Sequence, residues 1–248
     1  MNRTYWVLPY QPSIRRRRFL RAALGSCGLA TAGALSAQPE TRKSALTKEE
    51  RDRMTPDQVI AGMKLGNERF RAGTTTPRDY RAQQRSSAEG QFPAAVVLGC
   101  VDSRAPAEIL FDVGIGDTFN ARIAGNVVND DLLGSMEFAC AVSGAKAVVV
   151  FGHTACGAVK GAIDDVEMGN LTGLLARVKP AITATKFDGD KSSKNPAYVD
   201  AVARANVVLA LDGIRRRSPI LSDLEKQGKI RIAGAMYDLA TGMVEFVS

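Results

Sequence analysis

Histidine is almost absent from this chain: His153 is the only one in 248 residues. A three-histidine metal site is therefore excluded within one chain, and so is a second histidine acting as a separate proton carrier. Tryptophan is as scarce, with Trp6 alone. Apolar residues never run long enough to make a stable transmembrane span; the best stretch, Ala22 to Ala37, is short and diluted by glycine and serine. No Gly-x-Gly-x-x-Gly follows the first strand pattern, so the dinucleotide-binding fingerprint is missing. Acidic residues are missing from positions 1–37, which hold Arg3, Arg15, Arg16, Arg17, Arg18 and Arg21. Those six arginines account for all but one of the formal net charge of +7. The remainder has no basic stripe interleaved with aromatics, so nucleic acid is not an expected partner.

What is present at the N-terminus reads as an export signal over residues 1–37. Arg15 to Arg18 form a positive region, a mild apolar stretch follows, and small residues near Ala34, Ser36 and Ala37 suit cleavage. Arg16-Arg17-Arg18-Phe19-Leu20-Arg21 resembles the twin-arginine signal. The expected location is periplasmic or secreted. A disordered basic tail is the plainer alternative. A second alternative is a lipid anchor, because Leu24-Gly25-Ser26-Cys27 resembles a bacterial lipobox. Without Cys27, three cysteines remain, Cys100, Cys140 and Cys156, and an odd number cannot all pair.

Residues 38–55 are polar and charged and are expected to be a linker. Residues 56–248 are long enough for one α/β domain with its own core. Val59, Met63, Leu65 and Phe70 recur at roughly helical spacing up to Gly73. Thr74 to Gly90 reads as a long loop or extended arm. Ala94 to Gly99 and Ala147 to Phe151 are short continuous apolar runs, the pattern of parallel strands buried on both faces. Thr118 to Ile123 is a further strand. Leu132 to Val142, a segment from Thr154, Leu171 to Ala184 and Ala197 to Arg216 read as helices. Lys229 to Met236 and Gly242 to Val247 read as terminal strands. Alternating strands and helices predict an α/β fold with a mostly parallel sheet flanked by helices.

The two best strands are each followed by unusual residues. Cys100-Val101-Asp102-Ser103-Arg104 follows the first, and Gly152-His153-Thr154-Ala155-Cys156-Gly157 follows the second. Ligands in open α/β sheets bind beyond the carboxyl ends of strands, so adjacent strands would bring Cys100, His153 and Cys156 together. Two thiolates and an imidazole suit zinc, and three ligands leave the fourth tetrahedral position for water. Taken singly, a lone histidine is ordinarily a hydrogen-bonded core residue, a cysteine a small buried hydrophobe, and an Asp-Arg pair a surface ion pair. The joint pattern argues against those readings for all but Cys140, which is expected to be core.

These motifs are similar to those of the β-carbonic anhydrase family, over roughly Asp57 to Ser248. Gly66-Asn67-Glu68-Arg69-Phe70, Gly116-Asp117-Thr118-Phe119, Arg122-Ile123-Ala124-Gly125-Asn126, Ser218-Pro219-Ile220-Leu221 and the ending around Gly234 to Phe246 support the resemblance. It implies Zn2+ held by Cys100, His153 and Cys156, one ion per chain, and a catalytic dyad of Asp102 and Arg104. It implies reversible hydration of carbon dioxide to bicarbonate, with zinc-bound hydroxide as nucleophile. Gln91, Phe119 and Gly157 match substrate-lining positions, and Phe138 stands where plant-type members have tyrosine. Val97 occupies the position where members with an allosteric bicarbonate site carry tryptophan, which implies a constitutively open site. The resemblance further implies a homodimer or tetramer, with an N-terminal helix, Asp57 to Arg71, clasping the partner. Two other functions share these residues: action on another small substrate such as carbon disulfide, and a non-catalytic zinc- or bicarbonate-sensing module.

Overall fold

The structure, a computed structural model, describes residues 40–247. The expectations for the export signal and for Cys27 lie outside the described residues.

Polar capping residues open the first helices. Thr47 accepts from the Glu50 amide while Glu50 reaches back to the Thr47 amide, which starts α1 (Lys48–Arg53). Thr55 and Gln58 repeat this box at α2 (Pro56–Ala72), which Gly73 closes at φ 68°. Asp79 caps α3 (Tyr80–Ser86). The chain then runs through β1 (Ala95–Gly99), α4 (Ala107–Leu110), β2 (Thr118–Arg122) and a tight turn over Ala124–Asn126. Next come α5 (Asp130–Glu137), a wide π-type turn over Phe138–Val142, β3 (Ala147–His153) and α6 (Gly157–Ile163). It finishes with α7 (Gly169–Ala176), α8 (Lys179–Ala184), α9 (Pro196–Arg217), α10 (Pro219–Lys226), β4 (Arg231–Tyr237) and β5 (Val244–Val247).

Among the described residues these strands form one sheet in the order β2-β1-β3-β4-β5, parallel except for β5. Every residue of β1 and β3 is buried. Alternation along them divides the core into two layers. Val96, Leu98, Val148 and Val150 point to the layer of α9 and α10, with Val207, Leu211 and Ile214. Val97, Val149 and Phe151 point to the layer of α2 and α4, with Val59, Met63 and Phe111. Each such fully buried side chain contributes about 1.5–3 kcal/mol. The mostly parallel α/β expectation therefore holds, because apolar runs of this kind are stable only when covered on both faces.

Several local expectations need correction. Residues 38–55 are not simply a linker. Ala45, Leu46 and Arg51 are buried, Arg42 reaches Asp117 at 3.2 Å, and the Leu46 amide donates to the same carboxylate at 3.1 Å. The Thr47-x-x-Glu50 capping box is the sequence signal for α1, and Arg51 is the charge within it that turns inward. Thr74 to Gly90 contains α3. The helix after His153 starts at Gly157 rather than Thr154, since Ala155 takes φ 53°. The helix read over Leu171 to Ala184 breaks between α7 and α8, just before Pro180. Leu65 is 54% exposed. The packed face of α2 instead carries Gly66, where a Cβ would lie 1.9 Å from the Phe111 carbonyl oxygen. Asn67 beside it donates to the Leu110 and Gly242 carbonyls and accepts from the Val244 amide, tying α2 to β5.

Candidate metal centre

The site forms because β1 and β3 are neighbours in register, Gly99 beside Phe151. Cys100 leaves the end of β1 as His153 ends β3, and Cys156 follows one turn later at the start of α6. Gly152 lets the helix layer close on this strand end: a Cβ there would lie 2.6 Å from Val207 and 2.8 Å from the Met236 sulfur. The donor atoms of Cys100, His153 and Cys156 lie within 4.8 Å of one another, and all three residues are buried. Metal–sulfur bonds of about 2.3 Å and metal–nitrogen bonds of about 2.0 Å fit donors spaced this way after a small contraction.

Hydrogen bonding prepares the donors. His153 Nδ1 donates to the Thr154 carbonyl at 2.8 Å, so the ring presents Nε2 as a lone-pair donor. Among the described residues Nε2 has no hydrogen-bond partner although it is buried. A buried, unpaired nitrogen is costly, and a metal ion would satisfy it. The neighbouring Cys156 sulfur is the largest influence holding the Cys100 thiol down at about 4, ahead of the opposing effect of burial. Cys156 is pushed well up, first by Cys100 and then by burial. Burial lowers the His153 pKa, but the neighbouring Cys100 sulfur, the bond to the Thr154 carbonyl and the charges of Cys100 and Asp102 turn the net shift upward.

Asp102 faces this cluster, with Oδ2 3.8 Å from His153 Nε2. Arg104 grips it through Nε to Oδ1 at 3.0 Å and Nη2 to Oδ2 at 2.7 Å, and the Arg104 amide adds a bond of 2.9 Å. This fork holds the Asp102 carboxyl far below the usual carboxylate range. Arg122, which the sequence reading left without a role of its own, donates to the Cys100 carbonyl at 2.8 Å and to the Asp102 carbonyl. It shapes the loop that carries both residues.

Residues 95–244 match the family model for carbonic anhydrase. A solved Coccomyxa β-carbonic anhydrase in complex with acetazolamide is similar, with TM-score 0.58 and 26% identity over 76% of this chain and 84% of that one. The chain belongs to the β-carbonic anhydrase family. Carbonic anhydrase 2 of Mycobacterium tuberculosis is 37% identical over 186 residues, spanning 73% of this chain and 87% of that relative. Tetrameric β-carbonic anhydrases from Sordaria macrospora share the fold, with TM-score 0.57 and 24% identity over 65% of this chain and 83% of that one.

This carbonic anhydrase fold gathers only part of the expected site from one chain. Cys100, His153, Cys156, Asp102 and Arg104 converge. Gly157 adjoins them at the start of α6, and a Cβ there would meet open space. Gln91 lies before Ala95, at the opposite end of β1 from Cys100, and the strand between spans about 17 Å. Phe119 pairs with Val96, also toward that far end. Phe138, 50% exposed, lies edge-on to Phe119 with ring centroids 6.1 Å apart. Cys140 is buried in the apolar layer, where burial pushes its thiol up to about 12, a core role as expected. Among the described residues no helix is long and apolar enough to cross a membrane.

Proposed function

We propose that this protein catalyses the reversible hydration of carbon dioxide to bicarbonate and a proton, with one zinc ion held by Cys100, His153 and Cys156. The observation that carries the reading is the buried convergence of two thiols and an unpartnered imidazole nitrogen at two adjacent strand ends. Bound there, zinc would supply Lewis-acid activation of a water molecule in its open fourth position. Two thiolates neutralise a dication, so the surrounding groups must do more than they would beside three imidazoles. Asp102, beside His153, would accept a hydrogen bond from a water held there and orient it, and it stays ionised because Arg104 occupies both its oxygens. The same fork holds Asp102 away from the donor atoms.

Gln91 and Phe119 stand toward the end of β1 away from Cys100, and Phe138 packs against Phe119. We infer that a second copy supplies them, so the working protein is a homodimer or a larger assembly such as a tetramer. The N-terminal 37 residues support export to the periplasm or beyond. The experiment is stopped-flow hydration of carbon dioxide across pH on protein of determined zinc content. About one zinc per chain with rapid hydration is the expected result. Zinc without hydration at any pH would leave another small substrate, such as carbon disulfide, or a sensing role.

A further inference from the structure

We propose that α9 is the element that positions the metal centre: Asn206 acts through Gly125 on Cys100, and Asp200 acts through Ala155 on the loop between His153 and Cys156. This rests on the reading of those three residues as metal donors.

Asn206 is 5% exposed and sits among Val202, Ala203, Val207 and Ala210 on the packed side of α9. An amide there is costly unless it is bonded. Its Nδ2 donates to the Gly125 carbonyl at 2.7 Å. Gly125 is in the left-handed conformation, φ 67° and ψ 18°, and its own amide donates to the Cys100 sulfur at 3.3 Å. Ala158 and Val178 stand 3.3 Å from where its Cβ would be, so the turn is wedged as well as bonded. Two torsions separate the held carbonyl from the donating amide, so fixing one aims the other. A hydrogen bond to a metal-binding thiolate fixes its orientation and tunes its charge, so losing it loosens a metal held there.

Asp200 does the parallel work on the second loop. Its Oδ1 accepts from the Ala155 amide at 2.8 Å, and Ala155 holds φ 53°, rare for a residue with a side chain. That conformation turns the chain so that Cys156 returns toward His153. The helix itself is seated firmly. Val207 lies 2.6 Å and 2.7 Å from where Cβ atoms at Gly152 and Gly234 would be, so both strands carry glycine beneath it. Asn206 follows Asp200 by six positions, about 9 Å along the axis. One rigid helix thus reaches both loops.

The test compares the full chain with Asn206→Leu, Asp200→Ala and Asp200→Asn, each loaded with zinc or with cobalt(II). Zinc release to a chromophoric chelator and the sulfur-to-cobalt charge-transfer band are measured. The expected result is that both Asn206→Leu and Asp200→Ala bind metal but release zinc about 10-fold faster or more. Asn206→Leu alone also moves the charge-transfer band. Asp200→Asn, which keeps an acceptor oxygen, releases zinc at the parent rate. Parent-like release and an unmoved band in Asn206→Leu and Asp200→Ala overturn the proposal. If Asn206→Leu does not fold by circular dichroism, the half-buried Asp200→Ala decides alone: faster release supports the role of α9, and parent-like release overturns it. A parent chain that takes up neither ion overturns the metal reading, and this proposal with it.

Discussion

Two buried polar clusters in this protein resolve the cost of burial in opposite ways. Around Asp112, the fold supplies its own counter-charges. Arg69 Nε lies 2.6 Å from the carboxylate, Arg78 bonds both the carboxylate and the Asp112 carbonyl, and the Thr76 amide and hydroxyl complete the shell. Burial pushes the Asp112 pKa up, but these partners outweigh it and leave the carboxyl below its ordinary value. At the other cluster, Cys100, His153 and Cys156 bring three donor atoms together, and His153 Nε2 has no partner among the described residues. The first cluster satisfies its carboxylate and pins Thr76 and Arg78 to the loop after α4, although Arg78 Nε has no partner either. A buried unpartnered nitrogen therefore does not by itself mark a site here; the convergence of three donors of metal-binding type does.

Breaking the donor cluster should have the largest effect. Cys100→Ala should reduce zinc from about one per chain to near none, since two ligands rarely hold the ion, and abolish hydration; elemental analysis and stopped-flow assays check this. Asp102→Asn should separate the metal from its helper. Zinc content should stay at the parent level while the hydration rate falls by about 10²–10⁴-fold, the usual worth of a positioned proton acceptor. A parent-like rate would remove Asp102 from the chemistry.

The Asp112 cluster should fail differently. Asp112→Ala strands Arg78, whose side chain is 5% exposed, and should cost about 3–5 kcal/mol in urea unfolding. Metal content in the folded fraction should not change. Acid should sharpen the contrast with a smaller effect. Because the folded-state pKa of Asp112 lies below its unfolded value of about 3.9, its stabilisation is present above that pH and is lost as pH falls through the folded value. Unfolding free energy measured below about pH 4 should therefore decline less steeply in Asp112→Asn than in the parent.

The parts of the molecule that could be read in advance share a physical reason. The runs at Ala95–Gly99 and Ala147–Phe151 are apolar at every position, a pattern tolerated only by strands covered on both sides. The donors stand directly after those runs, so strand assignment and site assignment were one inference. Helix boundaries were less legible. Thr154 resembles an N-cap, but the ligand turn claims Thr154 and Ala155 and delays α6 to Gly157. Leu65 fits the apolar period of α2, yet Gly66 and Asn67 face the protein because Phe111 needs close approach and β5 needs a polar tie. Asn206 and Asp200 gave only a faint signal, polar residues on an otherwise apolar helical face.

By itself, the order of residues determined the sheet-and-helix alternation, the candidate donors at two strand ends and the Asp102–Arg104 pair. These depend on local pattern or, for the pair, on a contact two residues apart. The tertiary structure decided which ligand loop meets which helix, how Gly125 aims its amide at Cys100, and that Gln91, Phe119 and Phe138 stand away from the metal residues of their own chain. Those relations join positions up to about a hundred residues apart. They follow from how strands pair in register and how α9 settles onto two glycines, which no spacing along the chain encodes.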